Sequence, residues 1–334
     1  YDSDALLAAK VCDAIIIATP HYFHTTIGIA ALDSGHHVLV EKPISVHKAD
    51  CERLIAAHKR NPQMVFAAMF NQRTDLYYRK IRQLIQSGEL GELRRVNWII
   101  TNWFRTEAYY GSGGWRATWA GEGGGVLLNQ CPHNLDLFQW LFGMPQRVRG
   151  FCQFGRFHEI EVEDDVTAVL QYDNGTSATF ITSTGEAPGI NKLEISAEQG
   201  RLTVTDGTSI HFQRNRQPMS KFCMEAEAAF AMPESWHMNI PVESTGGQHV
   251  EILQNFTNAI LKGEKLLSPA EEGIHSVELA NAILLSTWQD ATIDLPMSSS
   301  DYEGLLIEKG EKSTFQKTKV VAKASADDFA KSFR

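Results

Sequence analysis

Two short stretches of this chain bring together residue types suited to chemistry. Glu41-Lys42-Pro43 closes the run His37-Val38-Leu39-Val40, and Asn129, His133 and Asp136 follow three glycines at 123–125. A lysine at the end of a buried strand loses hydration, which lowers its pKa toward neutrality and suits it to general acid or base work. The same tripeptide also reads as a surface lysine in a proline-closed turn. Asn129, His133 and Asp136 are spaced i, i+4 and i+7, so a continuous helix over 126–142 puts them on one face. Leu127, Leu128, Leu135, Phe138 and Trp140 make the rest of that helix apolar, and a polar stripe on such a helix suggests a lined cavity. The competing reading is a set of satisfied core groups, with His133 bonded to Asp136 and chemically idle. Pro132 falls inside the span and is expected to bend it near residue 128. The glycines allow either a ligand close to the backbone or a tight entry turn.

Other stretches carry less. The run His158-Glu159-Ile160-Glu161-Val162-Glu163-Asp164-Asp165 has metal-ligand residue types, but alternating acids entering a strand read as a solvated face, and no metal site is expected. Trp103, Tyr109, Tyr110, Trp115 and Trp119 crowd one segment with Arg105 and Arg116, which suits a sugar or flat ring and equally suits packing between domains. Neither a G-x-S-x-G elbow nor a helical H-E-x-x-H occurs.

The elements that must hold these residues follow from hydrophobic pattern. Ala14-Ile15-Ile16-Ile17-Ala18, residues 37–40 and residues 64–69 are short apolar runs separated by helical segments, the last of these helices near 48–59. Strand, helix, strand, helix, strand predicts right-handed crossovers and a doubly wound parallel sheet, whose ligands sit beyond the carboxyl ends of the strands. That directs attention to 19–24, 41–43 and 70–73. A G-x-G-x-x-G fingerprint is missing, so either the sheet binds no dinucleotide or its first βαβ unit precedes Tyr1. From about Arg94 the pattern changes to longer alternating strands at 96–100, 167–172, 177–182, 201–204 and 209–212, with Asp173-Asn174-Gly175 as a hairpin signal. This predicts an α+β part with an open, mainly antiparallel sheet covered by helices on one face. Helices near 249–261 and 270–289 are expected to pack back on the first part. The division is read as 1–93, 94–295 and an extension over 296–334 that is only partly ordered.

Composition bounds the function. Of 334 residues, 43% are hydrophobic and 21% charged, as in ordinary globular enzymes. A net charge of −9 without basic blocks argues against a nucleic-acid or anionic-membrane partner. No apolar stretch approaches a membrane span. Five scattered cysteines without a C-x-x-C pair point to a reducing compartment, and a cytoplasmic location is the expectation.

The ordered set Ala14–His24 (AIIIATPHYFH), Ala30-Ala31-Leu32, Gly35-His36-His37-Val38, Glu41-Lys42-Pro43 and Gly123-Gly124-Gly125 leading to His133 resembles the Gfo/Idh/MocA oxidoreductases, from residue 1 to about 290. The resemblance implies an N-terminal Rossmann domain binding NAD or NADP and a C-terminal domain whose open sheet joins subunits into a homodimer or homotetramer. It implies that about sixty residues precede Tyr1, carrying the glycine loop and the residue that chooses between NAD and NADP. By position, Thr19, Pro20 and His24 would line the dinucleotide. Glu41 and Lys42 would meet the nicotinamide ribose and the reacting hydroxyl, Asn71 would lie near the nicotinamide, and Trp115 and Arg116 would reach the cofactor. His133 matches the catalytic histidine. Asn129 stands where many relatives have aspartate; an amide orients a hydroxyl but does not titrate, which leaves proton transfer to Lys42 and His133. Asp136 would fix the imidazole tautomer. The implied activity is hydride transfer between nicotinamide and a secondary alcohol of a sugar, glycoside or cyclitol, the acidic chain favouring a neutral polyol over a phosphorylated one. Redox-assisted glycoside cleavage and a non-catalytic dinucleotide- or sugar-binding regulator remain as alternatives; retention of Lys42 and His133 speaks against the regulator.

Overall fold

The computed structural model describes residues 2–207, 209–242 and 246–317. The first part alternates α1 (Ser3–Ala9), β1 (Ala14–Ile17), α2 (Tyr22–Asp33), β2 (His37–Val40), α3 (Lys48–Arg60) and β3 (Phe66–Ala68). Its three strands form a parallel sheet in the order β1-β2-β3. Val38, Leu39 and Val40 are fully buried because helices cover the sheet, which is why the strands read as continuous apolar runs. Glycine at 28 lets α2 lie close to α3, since a Cβ there would stand 2.7 Å from Leu54 Cδ1. The side chain of His47 caps α3 by accepting from Asp50 N, and His58, Lys59 and Arg60 complement its carboxyl end.

A 3-10 turn (Asn71–Thr74) and α4 (Leu76–Gln86) lead to β4 (Leu93–Ile100), α5 (Glu107–Tyr110) and α6 (Pro132–Phe142). There follow β5 (Arg147–Phe154), β6 (Glu163–Gln171), β7 (Ser177–Ser183), β8 (Asn191–Ala197), β9 (Gly200–Thr205), β10 (Ile210–Asn215), α7 (Met219–Glu225) and β11 (Ser235–Ile240). The chain continues through α8 (Gln248–Lys262), α9 (Gly273–Gln289), β12 (Ile293–Asp294) and α10 (Ser299–Lys312). The large sheet runs β11-β10-β9-β8-β4-β7-β6-β5-β12 and is antiparallel except where β4 meets β7. Tyr172 and Thr176 close the turn around Gly175, whose φ of 85° lies in the left-handed region.

Alternation fixes the core face of this sheet. Val96, Trp98, Ile100, Ala168, Leu170, Ala178, Phe180, Leu193 and Ile195 point inward and are buried. Trp98 stacks on Phe138 of α6 at 6.4 Å, and Phe138 meets Phe180 edge-on at 6.0 Å. Each such side chain contributes about 1.5–3 kcal/mol through burial. The opposite face mixes polar Asn97, Thr167 and Thr179 with Ile99, Ile181, Val169 and the exposed Phe151. α9 spans the two parts: Val277 joins the core of the small sheet, and Leu279 to Leu285 join that of the large one.

Within the extension after 296, α10 is packed onto the body, with Tyr302 and Leu306, one helical turn apart, buried. Tyr302 stacks on Trp288 at 5.2 Å, and Arg53 binds Asp50 at 2.6 Å and Glu303 at 2.7 and 2.9 Å, tying α10 to α3. Residues 318–334 of that extension lie outside the described residues. The acidic run near 160 is not a solvated face, since Glu163 and Asp164 are fully buried. Asp164 accepts from the backbone N–H groups of Arg156, Phe157 and His158 and pairs with His158 Nδ1 at 3.0 Å.

Candidate active site

The two chemical stretches meet in a cleft of about 420 Å³ beyond the carboxyl ends of β1 and β2. Glu41 N donates to Ile17 O, which turns the chain out of β2 and sends Lys42 toward the cleft. Lys42 Nζ donates to Asn129 O at 2.7 Å. Burial lowers the Lys42 pKa, and the carboxylates of Glu41 and Glu122 only partly oppose it. His133 is 5% exposed, and its Nδ1 has no hydrogen-bond partner among the described residues. Burial first, then the nearby Lys42 and His249, hold its pKa well below the usual histidine value, so the ring is neutral at physiological pH.

The helix that carries His133 is shorter than expected. Pro132 occupies its first turn, where a missing N–H costs nothing, rather than bending a longer helix. Residues 126–131 form turns closed by Asn129 N to Gly125 O and Cys131 N to Val126 O. Asn129, His133 and Asp136 therefore do not share a helical face. Asn129 and His133 still reach the cleft, while Asp136 turns away and binds Arg73 through both oxygens at 2.6 and 2.7 Å. Asp136 thus does not fix the imidazole, contrary to the role expected for it. The three glycines serve the close approach of protein to protein: a Cβ at Gly125 would lie 2.0 Å from Glu163 O. Gly125 N and Leu127 N both donate to Glu163 Oε1, at 2.8 and 3.0 Å.

The rest of the lining is donor-rich. Thr19, Pro20, His24, Glu41, Trp115 and Arg116 border the cleft. His24 is fully buried between the two post-strand loops, with Nδ1 2.8 Å from Pro43 O and Nε2 2.8 Å from Thr19 O, and its single ring N–H donates to one of these carbonyls. The Arg116 guanidinium lies 4.7 Å from the Trp115 ring and 4.8 Å from that of Tyr109. Trp119 packs instead against Phe154 and Trp288. Asn71 lies outside the lining; its amide donates to Gln248 Oε1 at 2.7 Å.

Two family models match successive parts of this chain. Residues 1–69 match the oxidoreductase family model with an NAD-binding Rossmann fold, and residues 78–203 match the Gfo/Idh/MocA C-terminal domain model. The chain belongs to the Gfo/Idh/MocA family. Among curated Gfo/Idh/MocA-like proteins, it is 30% identical over 187 residues to 1-carboxy-3-chloro-3,4-dihydroxycyclohexa-1,5-diene dehydrogenase of Comamonas testosteroni, covering 56% of this chain and 45% of that one. It is 30% identical over 229 residues to an inositol 2-dehydrogenase of Leifsonia xyli, covering 62% and 63%. The chain thus spans about half to two thirds of the length of these relatives. The fold resembles the WlbA dehydrogenase of Bordetella pertussis, solved with NADH and UDP-GlcNAcA, with a TM-score of 0.73, 23% identity and coverage of 89% and 83%.

Within this Gfo/Idh/MocA chain the residues fit the nicotinamide end of a dinucleotide. The cleft lies where a parallel sheet presents ligands, Trp115 offers a flat ring, and the buried His133 Nδ1 lacks a partner among the described residues. Sequence reasoning missed His21, His249 and Glu122. His21 packs its ring edge against Trp115 at 5.8 Å and lines the cleft with His249. His21 lies inside the post-strand segment 19–24 and was within reach of a sequence argument; His249, early in α8, carried no local signal. Glu122 was hidden by its place in the glycine-rich run.

Proposed function

We propose that this protein is an NAD- or NADP-dependent oxidoreductase acting on a secondary alcohol of a sugar, glycoside or cyclitol. The observation that carries the proposal is the Lys42 ammonium, desolvated and held on one backbone carbonyl beside a neutral, buried His133. The bound dinucleotide would supply the hydride chemistry. Lys42 Nζ would exchange the proton with the reacting oxygen, and His133 would pass it onward. Asn129 would shape the floor of the site: its Oδ1 already accepts from Tyr109 at 3.1 Å and its Nδ2 donates to Glu122. The named relatives act on ring-borne diols and inositol, which supports a cyclic polyol substrate. We also infer a homodimer or homotetramer through the outer face of the large sheet, on which Ile99, Val169, Ile181 and Phe151 lie beside polar neighbours. No helix among the described residues is long and apolar enough to cross a membrane.

The deciding experiment offers the protein a panel of sugars, glycosides and cyclitols with each dinucleotide. Formation of NADH or NADPH absorbance and release of aglycone are followed in the same reaction. Reduced cofactor accumulating without aglycone supports the dehydrogenase. Aglycone release without net reduced cofactor would replace it with a redox-assisted glycosidase, and neither signal on any substrate would reject the enzyme.

A further inference from the structure

Glu122 is 2% exposed and lies just behind the cleft, against the lining residues His21, Arg116 and Asn129. One of its oxygens accepts from Ala117 N at 2.6 Å and the other from Asn129 Nδ2. Its backbone carbonyl lies 3.3 Å from His21 Nδ1. Asn129 is pinned from the other side, its Oδ1 accepting from Tyr109, whose hydroxyl in turn accepts from Arg116 at 3.0 Å and Gln130 at 3.0 Å. The residue whose backbone carbonyl holds Lys42 is therefore fixed by its side chain to Glu122.

We propose that Glu122 is a positioning residue for the reaction: it holds Asn129, and through the Asn129 carbonyl Lys42, and places a buried carboxylate beside the Lys42 ammonium. The inference rests on the reading of Lys42 as the proton carrier. Several charges face the pair. Burial raises the Glu122 pKa above the usual carboxylate value; the Ala117 N–H, Arg116 at 3.9 Å, the Asn129 amide and Lys317 hold that rise in check. Glu163, from β6, is a more distant like charge. Lys42 is faced by Glu41, Glu122, Arg116, Cys131, His21, His24 and His133. Of the two carboxylates, Glu41 touches only the backbone N–H of Lys42 at 3.2 Å and is half-buried, whereas Glu122 is bonded into the loop that receives the ammonium.

The sign of the effect follows. In alcohol oxidation Lys42 accepts the proton, so activity rises with pH as the ammonium deprotonates. A neighbouring negative charge stabilises the ammonium and places this rise at higher pH. Removing the charge in Glu122→Gln is expected to move the rise to lower pH by roughly 1 unit and to lower kcat about tenfold. In the exchanged pair Glu122→Gln with Asn129→Asp, an amide–carboxylate contact is retained and the charge stays near Lys42, so the rise should return toward its original pH. The test is the pH dependence of kcat for the two variants and Lys42→Met, with folding followed by circular dichroism. A shift in Glu122→Gln that the exchanged pair reverses supports the proposal. Turnover that falls in Glu122→Gln with an unmoved pH profile would overturn it, leaving Glu122 a purely structural group. Near-normal turnover in Lys42→Met would instead overturn the reading of Lys42, a result distinguishable from the other two.

Discussion

Replacing Asp136 with asparagine should destabilise the protein by about 3–5 kcal/mol while leaving the pH dependence of turnover in place. The side chains of Asp136 and Arg73 are each 1% exposed and share two hydrogen bonds, so the pair is fully desolvated. Burial by itself would favour loss of the Arg73 proton, but Asp136 and then Glu272 more than reverse that, and the guanidinium stays charged. Taking away the aspartate charge strands a buried cation, which typically costs about 3–5 kcal/mol. Glu272 still binds Arg73 at 2.6 Å, but it is 44% exposed and screened, so the lower end of the range is expected. Converting both partners, Arg73→Met with Asp136→Leu, should cost much less than the sum of the single changes. The surroundings already include the Phe70 and Trp140 rings, each 5.7 Å from the guanidinium carbon. A coupling energy of about 2 kcal/mol or more in the double-mutant cycle is the expected result. The assay is urea denaturation of the four proteins at one pH, alongside the pH–rate profile of Asp136→Asn. A loss below about 1 kcal/mol would refute the argument. So would a displaced pH profile in a protein of unchanged stability, which would return Asp136 to the imidazole.

Other changes have equally definite outcomes. Lys42→Met and His133→Ala should each lower kcat by about 10²–10⁴ with little change in dinucleotide dissociation constant, read by steady-state kinetics and by titration of cofactor fluorescence. Burial raises the Glu163 carboxyl to about 7 from an ordinary 4.5, so its contribution to stability is complete below pH 4.5 and is lost as pH rises through 7. That amounts to roughly 3 kcal/mol, and Glu163→Gln should have a melting temperature that falls less between pH 5 and 8 than that of the unsubstituted protein. Gly125→Ala drives a methyl into Glu163 O and should cost about 1–3 kcal/mol together with most of the activity, measured by thermal unfolding and turnover. Asn129→Asp places a carboxylate in contact with Glu122, and two such groups cannot both ionise freely, so a new titrating step should enter the pH–rate profile.

Much of the fold was legible because its signals are local. Isoleucines at 15–17 and the run at 37–40 announce parallel strands, of which β2 is buried while β1 leaves Ile16 exposed, and Asp173-Asn174-Gly175 marks its hairpin within a few residues. The neighbourhood of Lys42 was legible for the same reason, since the end of a parallel strand is a fixed address in this kind of sheet. What escaped depends on contacts distant in sequence. Arg73 is 63 residues from Asp136, and nothing in the spacing of Asn129, His133 and Asp136 reveals that partner. The helical face drawn through these three residues failed at Pro132, which serves equally to bend a helix or to begin one. Glu163 and Asp164 looked solvated because acids usually are. Only the folded backbone shows the N–H groups gathered around them.

α9 binds the fates of the two sheets. With Val277 in one core and Leu279 to Leu285 in the other, neither sheet can melt while its neighbour keeps an intact helix. Denaturation should therefore proceed as one transition, and a lesion near β2 should register in the strands around β6. A shared spine of this kind also leaves little room for the clamshell motion by which many two-part enzymes admit their ligands. Entry and exit would fall to the connecting segment 101–131, which carries Trp115 and Arg116 at the mouth of the cleft. Turnover would then be gated by a loop over a stiff body, sensitive to solvent viscosity and to glycine content there, and largely indifferent to changes that stiffen the sheets.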